Sequence, residues 1–177
     1  MYVDHLAEYN ILQALLRKLP KVDPLKTVVL NVSPDYSSTV AMQIAHYLSD
    51  KGHMLDIISV DVPYPGESKD LYVEAFKKIS LELIDKYSKI ILCEAAVLSG
   101  KNYTWLKDIL LTRGYSNNNI ISVALLEMYS STFKSTFVGE YIKDLPEFYW
   151  ERYNKAWDST DPDYSNIIAL GLSTPQD

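Results

Sequence analysis

The stretch Ile90-Ile91-Leu92-Cys93-Glu94-Ala95-Ala96-Val97-Leu98-Ser99-Gly100-Lys101-Asn102-Tyr103 sets the reading of the whole chain. Ile90 to Cys93 run without a polar break, the pattern of a strand buried on both faces. Glu94 interrupts the run, and small or apolar residues follow. Ser-Gly-Lys-Asn then stands before a helical pattern from Trp105 to Leu111. A strand feeding a short Ser/Gly loop that opens a helix is a natural anion site. The first-turn N–H groups of the helix point outward and its dipole favours negative charge there. Phosphate is the expected occupant, cradled by Ser99, Gly100, Lys101 and Asn102, with Lys101 adding positive charge. The same spacing also suits an ordinary strand-to-helix turn that uses Gly and Asn as punctuation.

Upstream, Val3 to Leu19 carry Leu6, Tyr9, Ile11, Leu12, Leu15, Leu16 and Leu19 at helical spacing, and Pro20 and Pro24 end that helix. Thr27 to Val32 is a β-branched run read as a buried strand. Ser33 to Ser38 form a loop, in which Asp35, Ser37 or Ser38 caps a helix expected over Thr39 to Ser49. Gly52 closes that helix, and Met54 to Val60 is a second strand. A Pro/Gly-rich loop from Asp61 leads to a third helix over Ser68 to Tyr87. Downstream of the central stretch come a helix over Tyr103 to Arg113, a turn at Asn117-Asn118-Asn119 and a strand over Ile120 to Glu127. After the polar connection Ser130 to Lys134, Phe137 to Ile142 and Phe148 to Trp150 read as short strands. The tail from Arg152 is polar, with an apolar patch at Ile167 to Leu172 expected to pack back on the body.

Strands alternating with helices imply an α/β fold with three layers, a doubly wound parallel sheet covered on both faces. Ligands in such folds sit at the carboxyl ends of the strands. Two loops there suit an anion: Ser33 to Ser38 and Glu94 to Asn102. A length of 177 residues fits one domain with a sizeable core. The net charge of −6 gives no sign of a nucleic-acid or anionic-membrane partner. No apolar run is long enough to span a bilayer. The N-terminus has no secretion-signal core, and Cys93 has no second cysteine to pair with, so a cytoplasmic, reducing compartment is expected. His5, His46 and His53 are scattered and build no metal cluster with Cys93. Fourteen tyrosines suggest a core rich in rings or an aromatic surface for a partner.

With both loops in place, the chain resembles the type I phosphoribosyltransferases, and within them the hypoxanthine/xanthine branch. That family's main motif is four apolar residues, two acids, two apolar residues, then Thr/Ser-Thr/Ser-Gly-x-Thr-Leu. Ile90 to Cys93 match the apolar run, Glu94 the first acid, Ala96 and Val97 the apolar pair, and Leu98 to Asn102 the phosphate loop. Tyr103 stands for the closing Leu. Ala95 replaces the second acid, and Leu98 and Asn102 replace hydroxyl residues. Farther on, Lys134-Ser135-Thr136-Phe137-Val138-Gly139 is similar to the family's Lys-Pro-Asp-Phe/Tyr-Val-Gly, and Phe148-Tyr149-Trp150 to its next aromatic strand.

The resemblance implies a single domain over 1–177. Its N-terminal helix and linker would be 1–25, its core 26–130, and a small C-terminal hood with the tail 131–177. Glu94 would be the catalytic carboxylate, taking the ribose hydroxyls, and Ser99 to Asn102 would hold the 5′-phosphate. Ser33, Pro34 and Asp35 would stand at the pyrophosphate loop. Lys134 would contact the base, with Phe148, Tyr149 or Trp150 stacking on it. Read as residues alone, Lys134 suits a surface lysine better, since exposed lysines on connections are common, and the aromatics suit a core. Magnesium would come with PRPP or nucleotide.

The loss of the second acid, an acidic pyrophosphate loop and no room for a hairpin lid point to a degenerate phosphoribosyltransferase-like protein. It would bind a phosphoribosyl compound or purine nucleotide without full transferase activity. The alternative is an active purine-type enzyme that transfers phosphoribosyl from PRPP to a 6-oxopurine. A homo-oligomer or a protein partner is also expected.

Overall fold

The computed structural model describes residues 2–32, 34–50, 52–60 and 84–148. Its centre is a five-stranded, all-parallel sheet built from β2 (Thr27–Val32), β3 (Asp56–Val60), β4 (Lys89–Val97), β5 (Ile120–Met128) and β6 (Phe137–Ile142), in the order β3-β2-β4-β5-β6. β2 and β5 are buried along almost their whole length, as continuous apolar runs require, whereas edge strands β3 and β6 alternate with exposed positions. A second, two-stranded parallel sheet joins β1 (Tyr2–Val3) to β7 (Glu147–Phe148), tying the two ends of the described chain together.

Helices cover both faces. On one, α1 (His5–Leu16) and α2 (Pro34–Leu48) bury Leu12, Leu15, Leu16, Val40, Ile44 and Leu48 against Val29, Ile91, Val123 and Leu125. On the other, α3 (Lys101–Thr112) buries Tyr103, Leu106 and Leu110 against Val28, Leu30, Ile90 and Leu92. The Tyr103 hydroxyl donates to the Val123 carbonyl, so this ring bonds to the sheet as well as packing on it. The three-layer, doubly wound expectation therefore holds. Chain order reverses between β2 and β4, and the crevice at their carboxyl ends is where such a sheet takes ligands.

Several boundaries differ from the sequence reading. Helix α1 begins at His5, because the Asp4 carboxylate accepts from the Ala7 N–H at 2.7 Å and caps it, while Val3 belongs to β1. Its inward stripe runs through Glu8, Leu12, Leu15 and Leu16, so Leu6 and Tyr9, expected inward, are exposed. Helix α2 begins at Pro34, five residues before the expected Thr39; a proline in the first turn lacks an N–H that no helix would use there. Phe137 to Ile142, assigned to the hood, is the fifth strand of the main sheet. The helix over Ser68 to Tyr87 lies mostly outside the described residues, although Ile84 and Tyr87 pack under the sheet beside α3. The apolar patch Ile167 to Leu172 lies outside them altogether.

Edge strand β6 is fixed from two sides. The Ser122 hydroxyl and Thr136 N–H hydrogen-bond at 2.9 Å at its entry, and Lys18 Nζ, just beyond α1, donates to the Val138 carbonyl at 2.8 Å. Between these anchors Gly139 lies flush against its neighbours. A Cβ there would come within 2.4 Å of the Leu125 carbonyl oxygen and 2.6 Å of Ile11 Cγ2. One of those atoms is backbone and cannot swing away. Gly139→Ala is therefore expected to lower the unfolding free energy by roughly 1–3 kcal/mol, read as a lower urea midpoint with an unchanged slope.

Candidate functional site

Strand β4 runs four residues past the apolar stretch Ile90 to Cys93, through Glu94, Ala95 and Ala96 to Val97, so the expected loop from Glu94 shrinks to Leu98-Ser99-Gly100. Glu94 is consequently a mid-strand residue, in register with Ala124 of β5, and buried at 8% exposure. A carboxylate in that position needs polar contacts. Asn102, in the first turn of α3, donates its side-chain amide to Glu94 Oε1 at 3.0 Å. Two residues singled out for the phosphate site thus meet across the turn, and the bond ties the start of α3 to the middle of β4.

The turn itself is held by the segment that follows β5. The Ser99 carbonyl accepts from the Thr132 N–H at 3.3 Å and from its hydroxyl at 3.0 Å. The Ser99 hydroxyl accepts the Lys101 N–H at 3.4 Å. Gly100 has φ +80° and caps α3 without a side chain. A Cβ on it would lie 2.4 Å from Phe133 Cβ and 2.8 Å from Ser131 Oγ. The glycine is thus demanded by the backbone conformation and by the approach of residues 131–133, two reasons that concern packing rather than a ligand. Phe133 then rests edge-on against Tyr103, with ring centroids 5.2 Å apart. Lys101 is exposed at the helix start.

Ala95, which replaces the second acid of the motif, is wholly buried in the apolar cluster under α1 and α2. Its N–H is taken by the Ser37 hydroxyl at 3.0 Å, and Asn31 of β2 donates to the Ser38 hydroxyl at 3.1 Å. Ser37 and Ser38, expected as caps, therefore sit inside α2 and stitch it to the sheet. Of the proposed pyrophosphate loop, Ser33 lies outside the described residues; Pro34 and Asp35 form the first turn of α2 rather than a loop.

Lys134 stands over the end of β5. Its Nζ donates to the Tyr129 carbonyl at 3.2 Å and lies 3.6 Å from Glu127 Oε1. Glu127 is completely buried, with Oε2 accepting the Ser135 N–H at 2.8 Å. The sequence reading passed over this residue as the polar end of a strand. The available signal was an acid inside a run that is otherwise buried from Ile120 to Leu126. Phe148 lies in β7, and Tyr149 and Trp150, proposed to stack on a base, lie outside the described residues.

Burial decides the protonation of the groups around this centre. The Cys93 thiol is pushed far above its ordinary range by desolvation first and by the Glu94 charge second. The Tyr103 phenol moves up for the same first reason, with Glu94, Cys93 and Glu127 adding to it. Both stay protonated at neutral pH, and neither serves as a nucleophile or base. Glu94 is a buried carboxylate beside the α3 start. Among the described residues no three of His, Cys, Asp and Glu converge on a metal position. No helix among them is long and apolar enough to cross a membrane.

Comparison with known proteins adds the fold. No family model matches the sequence, and no curated protein sequence matches it either. Among solved structures, the chain is similar to a purine phosphoribosyltransferase from Pyrococcus horikoshii Ot3, with a TM-score of 0.62 and 16% identity over 85% of this chain and 92% of that one. It is also similar to the Helicobacter pylori xanthine-guanine-hypoxanthine phosphoribosyltransferase, with a TM-score of 0.57 and 12% identity over 95% and 96% of the two chains. The chain has the phosphoribosyltransferase fold. At these identities the likeness concerns architecture alone.

The burial of Ala95 makes a direct test possible. If the second acid had merely been trimmed from an otherwise open site, Ala95→Asp would be tolerated. Its place among α1 and α2 side chains instead predicts a loss of roughly 3–5 kcal/mol, the penalty of an uncompensated buried charge. Chemical unfolding of the two proteins at neutral pH measures it, and equal midpoints would contradict the packing described.

Proposed function

We propose that this chain binds a phosphoribosyl compound or a purine nucleotide at the carboxyl ends of β4 and β5, without full transferase activity. The observation that carries the reading is the Glu94–Asn102 hydrogen bond across the Leu98–Gly100 turn. It holds a buried carboxylate beside the N-terminus of α3. A 5′-phosphate suits the helix start, where first-turn N–H groups have no intrahelical acceptor and the dipole is positive. Lys101 adds a nearby cation. Ribose hydroxyls suit Glu94, since a carboxylate accepts two hydrogen bonds and donates none.

The fold supports the same reading, because both structural neighbours are named for work on purines and phosphoribosyl groups. Lys134, held over the end of β5, is available to an acceptor on a base. Magnesium fits as a companion of the diphosphate. It ordinarily takes one or two protein carboxylates and fills its shell with phosphate oxygens and water, and Glu94 is the carboxylate at hand.

Two features argue against efficient transfer. The position of the second acid is an alanine buried in the core under α1 and α2, so Glu94 has no second carboxylate next to it in the motif. The first turn of α2 begins with Pro34-Asp35, one residue after the end of β2. Pro34 offers no N–H, and an acid at position 35 would repel a diphosphate bound at this turn. Binding outlives these changes more readily than catalysis does, because catalysis needs contacts made only in the transition state.

Calorimetric titration of the full chain with PRPP, GMP and IMP, each with and without magnesium, tests the reading. Saturable heat with at least one of them, and no product from PRPP plus hypoxanthine or guanine, is expected. Absence of heat with all three sinks the retained site. Measurable turnover replaces the binding protein with the enzyme.

A further inference from the structure

At the amino end of the sheet a cleft of about 320 Å³ opens between residues 84–88, which lead into β4, and residues 113–119, which join α3 to β5. That volume is at the lower end of ligand clefts, roughly 300–1,000 Å³. The Glu94 end is far from it: from Ser88 the chain climbs six residues of β4 to reach Glu94, roughly 20 Å at about 3.3 Å each. The walls of the cleft are pinned to the main chain. The Tyr115 hydroxyl is shared between the Ile84 carbonyl at 2.8 Å and the Tyr87 carbonyl at 2.9 Å, which ties one rim to the other. The Ser88 N–H donates to the Lys26 carbonyl at 3.0 Å, and the Asn119 N–H to the Ser116 carbonyl at 3.0 Å. Gly114, also in the lining, has φ +96°, and a Cβ there would meet nothing within 4 Å.

The lining sets unlike groups side by side. Arg113 Nη1 lies 3.4 Å from Asp85 Oδ1, and both side chains reach solvent. An ion pair this accessible contributes little by itself, so a ligand can enter it at little cost. The carboxylate only accepts hydrogen bonds and the guanidinium only donates them, whereas the side chains of Ser88 and Asn119 do both. The Ser88 hydroxyl is engaged only at 3.5 Å, by the Lys26 carbonyl. The two tyrosine hydroxyls are occupied elsewhere, that of Tyr115 by the two carbonyls and that of Tyr87 by Asp56. Burial holds both phenols above their ordinary pKa, so they remain donors in those bonds and offer the cleft their rings.

A ligand for this cleft must donate to Asp85 and accept from Arg113 through adjacent atoms. An anion is repelled by the first and a cation by the second. Two neighbouring hydroxyls of a sugar satisfy both, one donating to the carboxylate and the next accepting from the guanidinium. Ser88 and Asn119 can meet the hydroxyls that follow. The C–H face of a sugar ring suits an aromatic face, which carries partial negative charge. We infer that Asp85, Ser88, Arg113 and Asn119, with the rings of Tyr87 and Tyr115, form a second ligand site that takes a neutral sugar. It is independent of the nucleotide reading, which concerns the other end of the sheet.

Titration of the full chain with glucose and maltose, beside glycine and sulfate, tests the site by NMR observation of the added molecule. At least one of the sugars is expected to bind, with glycine and sulfate silent. Asp85→Asn and Arg113→Gln should each weaken that sugar about ten-fold, the usual weight of a hydrogen bond to a charged group. Both changes fall on exposed residues. Should either protein not fold, Asn119→Ala must still weaken the sugar. Silence from both sugars overturns the inference, and so does sugar binding that none of the variants alters, since it would lie elsewhere. Sulfate that binds more tightly to Asp85→Asn while the sugars stay silent makes the cleft an anion site. Glycine bound in place of sugar makes it a zwitterion site, and either result also rules out the sugar.

Discussion

A carboxylate in the middle of a central parallel strand is the constraint around which this molecule is arranged. Glu94 is flanked by β2 and β5 and covered from the α3 side, where an unanswered charge would be costly. The amide of Asn102 supplies an answer, and in doing so it fixes where α3 starts relative to β4. That position compels a three-residue turn with Gly100 in the left-handed region. The tight turn presents the Ser99 carbonyl to Thr132 and leaves space for Phe133, so the segment after β5 settles onto it. Lys134 follows in the chain, and from there the strand that carries Gly139 and Tyr141. One buried polar contact therefore connects the central strand to the edge of the sheet.

Glu127 repeats the arrangement one strand over. It too is a buried acid near the carboxyl end of a central strand, and it too is answered by the segment that leaves that strand: Ser135 by its N–H and Lys134 by its charge. The two acids differ in who answers them. Glu94 meets the neutral amide of Asn102. Glu127 faces a cation, which spends its charge on orientation. The burial of the Tyr103 phenol between their fields raises its pKa and keeps the core beneath them uncharged.

Much of the fold was legible in the sequence because the central strands are apolar on both faces. Ile90 to Cys93 and Ile120 to Leu126 cannot be placed anywhere but inside a covered sheet. Periodicity misjudged α1, since Leu6 and Tyr9 satisfy a helical spacing without lying on the stripe through Leu12, Leu15 and Leu16. It also misjudged the start of α2, where Pro34 was read as punctuation before a helix when it is the first helical residue. The site was legible in part: Glu94, Ser99, Gly100 and Asn102 could be named as neighbours in sequence. That Glu94 lies within the strand, and that Ala95 is turned away from it, depends on how far β4 extends. Nothing in the stretch Glu94 to Val97 states that length. The tie between Lys134 and Glu127 spans a loop, and no local pattern announces it.

The alanine at position 95 carries a structural consequence. In a strand, successive side chains project to opposite faces. An acid at 94 and an acid at 95 would therefore burden both layers, one towards α3 and the other towards α1 and α2. With Ala95 the second layer closes as an uninterrupted apolar cluster from Val29 through Ile91 and Cys93 to Val123 and Leu125. The Ser37 hydroxyl accepts the buried Ala95 N–H at that point. The packing of α2 against β4 is thereby complete without any ligand, whereas α3 still begins with a carboxylate and a helix terminus side by side.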